Sequence, residues 1–187
     1  QQNDASLDYG TDFVFREAKD AAEAAEIIQK IYREAVERLG VEKVKVLSPY
    51  RKKGEVSVNA LNEVLWNMVN PEPEQEAGQD AAPKKKEKNV FRVGDRIIHN
   101  RNKNGISNGD IGFVTDIFTD EDDMELTRLE FSDDKHVEYN SDELDMVEHS
   151  YATTVHKSQG SEYPVVILPW LPMFFKMLRR NILYTAV

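Results

Sequence analysis

No cysteine occurs among the 187 residues. That excludes disulfides and thiolate metal sites, and it fits a reducing, cytoplasmic setting. No apolar run approaches the roughly 18 residues of a membrane span; the longest, Pro164 to Pro172, is interrupted by its own prolines. The polar opening Gln1-Gln2-Asn3-Asp4 has no signal-peptide pattern. Positive charge is scarce: Lys plus Arg is 24 against 34 for Asp plus Glu, a net charge of −10. A chain-wide basic footprint for nucleic acid is therefore excluded, and any such contact must be local or must use stacking and backbone amides. His99, His136 and His149 show no paired ligand spacing, and Asp120 to Asp123 lacks the Gly and Glu of a calcium loop, so no metal site is expected. What is present, 40% apolar and 31% charged residues, suffices for a buried core and a solvated surface. The chain begins on Gln1 rather than Met and ends on the uncapped apolar stretch Tyr184-Thr185-Ala186-Val187, so it reads as a fragment of something larger.

Residues 1–70 read as α/β. Asp12 to Phe15 has strand composition, and Asp20 with Glu23 resembles a capping box. Ala24, Ile28, Tyr32 and Val36 recur at helical spacing as far as the stop at Gly40. Val44 to Pro49 predicts a short strand, and Val58, Leu61, Leu65 and Met68 predict a helix starting near Ser57. Residues 71–89 are polar and proline-containing, with the basic run Lys84-Lys85-Lys86-Glu87-Lys88, and read as a linker that is disordered without a partner. Residues 90–148 change to β texture. Strands are expected at Val90–Val93, Arg96–His99, after the Asn108-Gly109 turn, at Leu126–Phe131 and at His136–Tyr139, together a small inserted antiparallel barrel. Residues 149–187 return to α/β, with Val165 to Leu168 as a strand buried on both faces and Pro172 to Tyr184 helix-compatible. Charge is uneven: Lys84 to Lys103 is rich in Lys and Arg, whereas Asp116 to Glu148 holds fourteen acidic residues against only Arg128 and Lys135. One edge of the insert could attract phosphate, or both could be ordinary solvated surface.

The most informative segment is Tyr151-Ala152-Thr153-Thr154-Val155-His156-Lys157-Ser158-Gln159-Gly160-Ser161-Glu162-Tyr163. It gathers hydroxyls, an imidazole, an ammonium, an amide and a glycine just ahead of a strand. Hydroxyls, His and Lys can hold phosphates, Gly permits close backbone approach, and a carboxylate suits ribose hydroxyls. A Ser158/His156 nucleophile pair lacks an acidic partner and an elbow motif.

This segment resembles motif V of superfamily 1 DNA helicases in the RecD-like branch, the α subunit of exodeoxyribonuclease V and its stand-alone relatives. Arg180 to Val187 resembles the start of motif VI. Val46 to Gly54, with Leu61-Asn62 and Asn70-Pro71, resembles the motif IV region. Phe91 to Arg96 and Asn108 to Gly112 resemble an SH3-like barrel inserted in the second motor domain. The resemblance implies an α/β, RecA-like second motor domain (1–70 and 149–187), a linker (71–89) and an inserted SH3-like barrel (90–148). It implies part of an ATP-dependent 5′-to-3′ DNA helicase of recombination or repair, with ATP and Mg²⁺ used by the intact protein. Single-stranded DNA, the first motor domain of the same chain and possible exodeoxyribonuclease V-type subunits are the implied partners. By analogy, Gly160 and Glu162 face the nucleotide, and Arg51 touches phosphate of either the nucleotide or DNA. Thr153, Thr154, His156, Lys157, Pro49 and Tyr50 lie near DNA, joined by Arg96, Arg101, Asn100 or Lys103 of the barrel. Ser158 and Gln159 couple the two sites.

Three parts of phosphoryl-transfer machinery are absent from the sequence. There is no G-x-x-x-x-G-K-[ST] loop, no strand-borne acidic pair for Mg²⁺, and no Thr-Arg after Val187, where the family carries its arginine finger. The expectation is that this chain alone does not hydrolyse ATP. Two other readings remain open at this level: a single-stranded nucleic-acid-binding module without motor activity, and a protein-interaction domain using the acidic face of the insert.

Overall fold

The computed structural model describes residues 13–72, 90–132 and 135–174. Its elements, in chain order, are helix α1 (Ala21–Leu39), strand β1 (Val44–Ser48), helix α2 (Val58–Val69), and strands β2 (Arg96–His99), β3 (Ile111–Thr119), β4 (Glu125–Phe131), β5 (Lys135–Asn140), β6 (Val147–His149), β7 (Ala152–Thr154) and β8 (Val165–Ile167). Two compact units result. Unit 1 is Gln1–Leu65 with Ala152–Val187, and unit 2 is Trp66–Tyr151. The expected insert, 90–148, lies inside unit 2, whose limits fall earlier, within α2, and later, at Tyr151. Among the described residues, no helix is long and apolar enough to cross a membrane.

In unit 1, α1 begins where the sequence places it. The Asp20 carboxylate accepts from the Glu23 N–H at 2.9 Å, and Glu23 accepts in return from the Lys19 N–H at 2.6 Å, one residue before the usual capping-box donor. Gly40, at φ +91°, ends the helix by donating to the Val36 carbonyl at 2.9 Å. Ala24, Ile28 and Tyr32 form its buried stripe. Strand β1 is buried at all five positions, because parallel neighbours flank it on both sides in the order β7-β1-β8. The expected strand at Asp12–Phe15 does not form over its described part. Phe13 and Val14 are 41% and 59% exposed, with only an isolated bridge at Val14, since strand composition needs a neighbouring ladder to express itself. Strand β8 is shorter than expected, and Val165 and Val166 are only half-buried.

Unit 2 is an antiparallel sheet in the order β5-β4-β3-β2-β6. Phe91, Ile97, Ile106, Val114, Leu129, Phe131, Tyr139, Leu144 and Val147 make its core. Strands β5 and β6 stand at opposite ends of the order, and no pairing joins them among the described residues. At Gly112 an added Cβ would stand 2.4 Å from the Glu130 carbonyl, so only glycine lets β3 approach β4 here. Residues 90–93 are not a strand. Chain direction reverses at Arg92–Asp95, where the Asp95 N–H donates to the Arg92 carbonyl at 3.0 Å and Gly94 takes φ +90°. The turn delivers Asp95 to the interior. The linker beyond Glu72, the basic run 84–88, and the C-terminal helix and motif VI resemblance beyond Phe174 lie outside the described residues.

Asp95 is fully buried and collects five donors. Its Oδ1 accepts from Trp66 Nε1 (2.7 Å), Asn70 Nδ2 (2.8 Å) and the Tyr151 hydroxyl (3.1 Å); its Oδ2 accepts from the Arg92 N–H (2.8 Å) and His149 Nε2 (3.0 Å). Burial pushes the carboxyl pKa up most strongly. The bonds from His149, the Arg92 amide and Asn70, with the charge of His149, together outweigh it and hold the group below its ordinary value. The stabilisation is thus full above the unfolded-chain value, about 3.9, and is lost as pH falls through the lower folded value. Asp95→Asn puts an amide among donors and should cost about 3 kcal/mol. In urea melts run from neutral pH down to about pH 3, the wild type should lose stability with acid more steeply than the variant. Parallel curves for the two proteins would remove Asp95 from this role.

Candidate functional site

Strands β1 and β7 run parallel with Ser48 opposite Thr154, and β8 runs parallel on the other side with Ile167 opposite Val46. Parallel neighbours lie about 4.8 Å apart, so the chain leaves all three strands along one edge. The carboxyl edge of a parallel sheet is where such folds bind ligands. Three loops stand there: 49–57 after β1, 155–163 after β7, and 168–171 after β8.

The loop after β1 is closed by its own polar groups. The Ser48 hydroxyl donates to the Val56 carbonyl at 2.6 Å in a buried position. The first N–H groups of α2 turn back onto the loop, Val58 to the Tyr50 carbonyl (2.9 Å) and Asn59 to the Arg51 carbonyl (3.0 Å), while Ala60 N–H donates to the Ser57 hydroxyl (3.4 Å). These amides are therefore committed to the loop rather than offered to an anion. Pro49 is buried, Tyr50 is half-buried with its ring 5.1 Å from that of Phe174, and Arg51, Lys52 and Lys53 are exposed.

The Tyr151–Tyr163 segment, expected just ahead of a strand, opens with a strand of its own and continues as a coil of turns. Ala152–Thr154 is β7 itself. Its outer edge is completed by a side chain: Asn62 of α2 donates to the Ala152 carbonyl at 3.1 Å and accepts from the Ala152 N–H at 2.7 Å. The amide of Asn62 supplies the donor and acceptor that another strand would have given. Beyond β7 the Thr154 carbonyl accepts from the N–H groups of Lys157 (3.0 Å) and Ser158 (3.2 Å), the Ser158 hydroxyl donates to the Val155 carbonyl (2.8 Å), and the Ser161 N–H donates to the Ser158 carbonyl (3.0 Å). Val155 is buried against Leu47, with Val166 and Leu168 beside them. The result is a loop anchored at Val155 and Ser158, with His156, Gln159, Gly160, Ser161 and Glu162 exposed and Thr154 and Lys157 half-buried. Gly160 takes φ +83° with no atom within 4 Å of an added Cβ, so the requirement for glycine is conformational and the space above it is open.

Several candidate residues are not at the surface. Thr153 is 4% exposed, Arg96 is 2% exposed and Pro49 is buried, so none of their side chains is presented for a DNA contact. Thr153 faces inward because β7 is covered, and Arg96 belongs to β2, whose four residues are all buried. Lys103 is engaged by Glu143, which that bond holds below the ordinary carboxyl value, and it stands over the Tyr139 ring at 5.6 Å. Arg101 is exposed, and Asn100 is half-buried. Ser158, read as a coupling residue, is a buried anchor, whereas Gln159 is exposed. No group of three or more His, Asp or Glu that could hold a metal occurs among the described residues. His99 is buried instead, its Nδ1 donating to the Arg101 carbonyl and its Nε2 accepting from the Tyr139 hydroxyl at 2.9 Å. The residue whose role sequence reasoning missed is Asn62. It is quoted in the motif IV resemblance, but nothing in its spacing announces a partner 90 positions away.

Comparison with known proteins bears on the same regions. The UvrD-like helicase C-terminal domain family matches residues 149–187. Over 147 residues the chain is 34% identical to the ATP-dependent RecD2 DNA helicase of Deinococcus radiodurans, an alignment covering 77% of this chain and 18% of that protein. The chain thus spans a small part of the relative's length.

Asn62→Ala should leave the Ala152 N–H and C=O unpaired and cost about 2 kcal/mol in urea unfolding. Amide exchange at Ala152 to Thr154 should speed up while α1 is unaffected. An unchanged rate at Ala152 would show that β7 does not depend on the amide.

Proposed function

We propose, from a chain that is a RecD-like segment of the superfamily 1 helicase type, that its parallel sheet is the core of the second of two RecA-like motor domains in an ATP-dependent DNA helicase. The observation that carries this reading is the shared carboxyl edge, where Arg51 and the Thr154–Glu162 loop follow neighbouring strands in register at Ser48 and Thr154. In this reading unit 2 is the inserted SH3-like element. Supporting it are five antiparallel strands, with β6 entered through the short 3-10 turn Glu143–Met146 and laid back beside β2.

The roles follow from exposure. Gly160 and Glu162 face the nucleotide, Gly160 by leaving room above its backbone and Glu162 by offering a carboxylate to ribose hydroxyls. Arg51 meets phosphate from the neighbouring loop. Thr154, His156 and Lys157, at the start of the same loop, hold DNA phosphates together with Tyr50, and Arg101, exposed on unit 2, is a candidate phosphate contact of that unit by itself. Gln159 lies between the two groups along an anchored loop, so a shift at Gly160 is passed to Lys157. ATP and its Mg²⁺ supply the driving reaction, and the first motor domain supplies the phosphate cradle that this sequence lacks. The polarity, 5′ to 3′, and a place in recombination or repair belong to the same proposal.

A stand-alone nucleic-acid-binding module is less well supported, because Arg96 is buried and Lys103 is paired with Glu143. On the motor reading this chain alone binds single strands weakly and does not hydrolyse ATP. In the full-length protein Lys157→Ala should weaken single-strand binding and reduce the magnitude of the salt slope by about one. Glu162→Ala should raise the KM for ATP by about tenfold, the worth of one charge-assisted hydrogen bond, with DNA affinity unchanged. Equal loss of DNA binding in both variants, with ATP use intact, would favour the binding module instead.

A further inference from the structure

Lys45 lies in the middle of β1 and is fully buried, an unusual place for an ammonium group. Its Nζ stands 5.6 Å from the centroid of the Tyr163 ring. Alternation along the strand puts Lys45 on the same face of β1 as Leu47. That face is the one on which the loop after β7 rests, since Val155 is buried against Leu47. The loop is therefore held at both ends on two residues of one strand: Val155 on Leu47 and Tyr163 over Lys45. Everything exposed in the loop, from His156 to Glu162, lies between those two points, apart from the Ser158 anchor. Tyr163 also precedes Pro164, which confines its backbone to extended conformations and makes it a stiff attachment for Glu162, its immediate neighbour.

We infer that Lys45 and Tyr163 form a clasp that positions Gly160 and Glu162 for the nucleotide, with Lys45 acting as a positioning residue through the aromatic ring. The inference rests on the proposed nucleotide-facing role of Glu162. A buried ammonium over a ring face is attracted more strongly than an exposed one, because little water competes for it. The interaction is directional, so it fixes where the ring sits as well as adding to stability. Val155 and Ser158 anchor the first half of the loop, and the clasp anchors the stretch that carries Gly160 and Glu162.

The test uses the full-length protein and four variants: Lys45→Met, Tyr163→Leu, Tyr163→Phe and Glu162→Ala. Amide exchange across residues 156–162 should be about tenfold faster in Lys45→Met and Tyr163→Leu, a size fitting one desolvated cation–ring contact, with exchange in β1 unchanged. Both should raise the KM for ATP several-fold while kcat stays within about twofold, because ground-state positioning is what is lost. Tyr163→Phe keeps the ring face and should behave as wild type, which a role resting on the tyrosine hydroxyl would not allow. Should Lys45→Met fail to fold, the Leu and Phe variants at half-buried Tyr163 still decide the matter. Unchanged loop exchange in Tyr163→Leu, or equal damage in Tyr163→Phe and Tyr163→Leu, overturns the clasp. If Glu162→Ala leaves the KM for ATP unaltered while the exchange differences appear, the nucleotide reading fails and the clasp has no functional part.

Discussion

Parallel pairing of β7 against β1 is the constraint on which unit 1 depends. The two strands are brought together from distant parts of the sequence, and each residue pair in the register, Val46 with Ala152 through Ser48 with Thr154, fixes where the next loop begins. A slip of one residue would send Thr153 outward and turn Thr154 inward, and it would carry the following loop with it. Among the described residues, β7 pairs with a strand on one side, where β1 lies. On the other, the Asn62 amide matches both hydrogen-bonding groups of Ala152. With β1 as its one strand neighbour among the described residues, β7 would otherwise leave these two backbone groups of Ala152 unpaired in a partly buried place.

The same device recurs elsewhere. At Ser48 a hydroxyl reaches the Val56 carbonyl and closes the loop after β1. At Asp95 a carboxylate gathers two ring donors, an amide, a hydroxyl and a backbone N–H, and does for unit 2 what no apolar residue could. These buried polar groups are fully engaged, which is the condition under which polar interiors specify one arrangement. Where a polar group is engaged it also ceases to be available. The amides at the start of α2 hold the Tyr50 and Arg51 carbonyls, so the cationic side chains of the loop, and not its helix terminus, are left facing solvent.

Charge shows the distinction most plainly. The basic stretch from Lys84 to Lys103 suggests a phosphate-attracting edge, and of it residues 90–103 are described. Within it Arg96 is buried in β2, Arg92 lies over the Trp66 ring at 4.0 Å, and Lys103 meets Glu143. On the acidic side Arg128 spans two strands, reaching Asp116 at 3.2 Å and Glu138 at 3.0 Å. Counts along the chain record which charges exist; three-dimensional pairing settles which of them a ligand can feel.

Elements with local causes could be read from the order of residues alone. Helix α1 was legible from its cap, its apolar stripe and Gly40. Helix α2 could be read from Ser57 onward, and strands β2 to β5 from β texture and turn residues. The sequence also pointed to the Tyr151–Tyr163 segment, because so many ligand-holding groups rarely fall in one stretch. Long-range contacts, invisible along the chain, make this segment start as a strand, turn Thr153, Pro49 and Arg96 inward, and leave 90–93 outside any strand, with the chain reversing at Arg92–Asp95. The same holds for Asn62 and Lys45, whose polar groups support the loop. Each of those outcomes is set by a partner far away in the chain. A residue's own propensity carries no information about which distant backbone or ring will stand beside it once the chain has closed on itself.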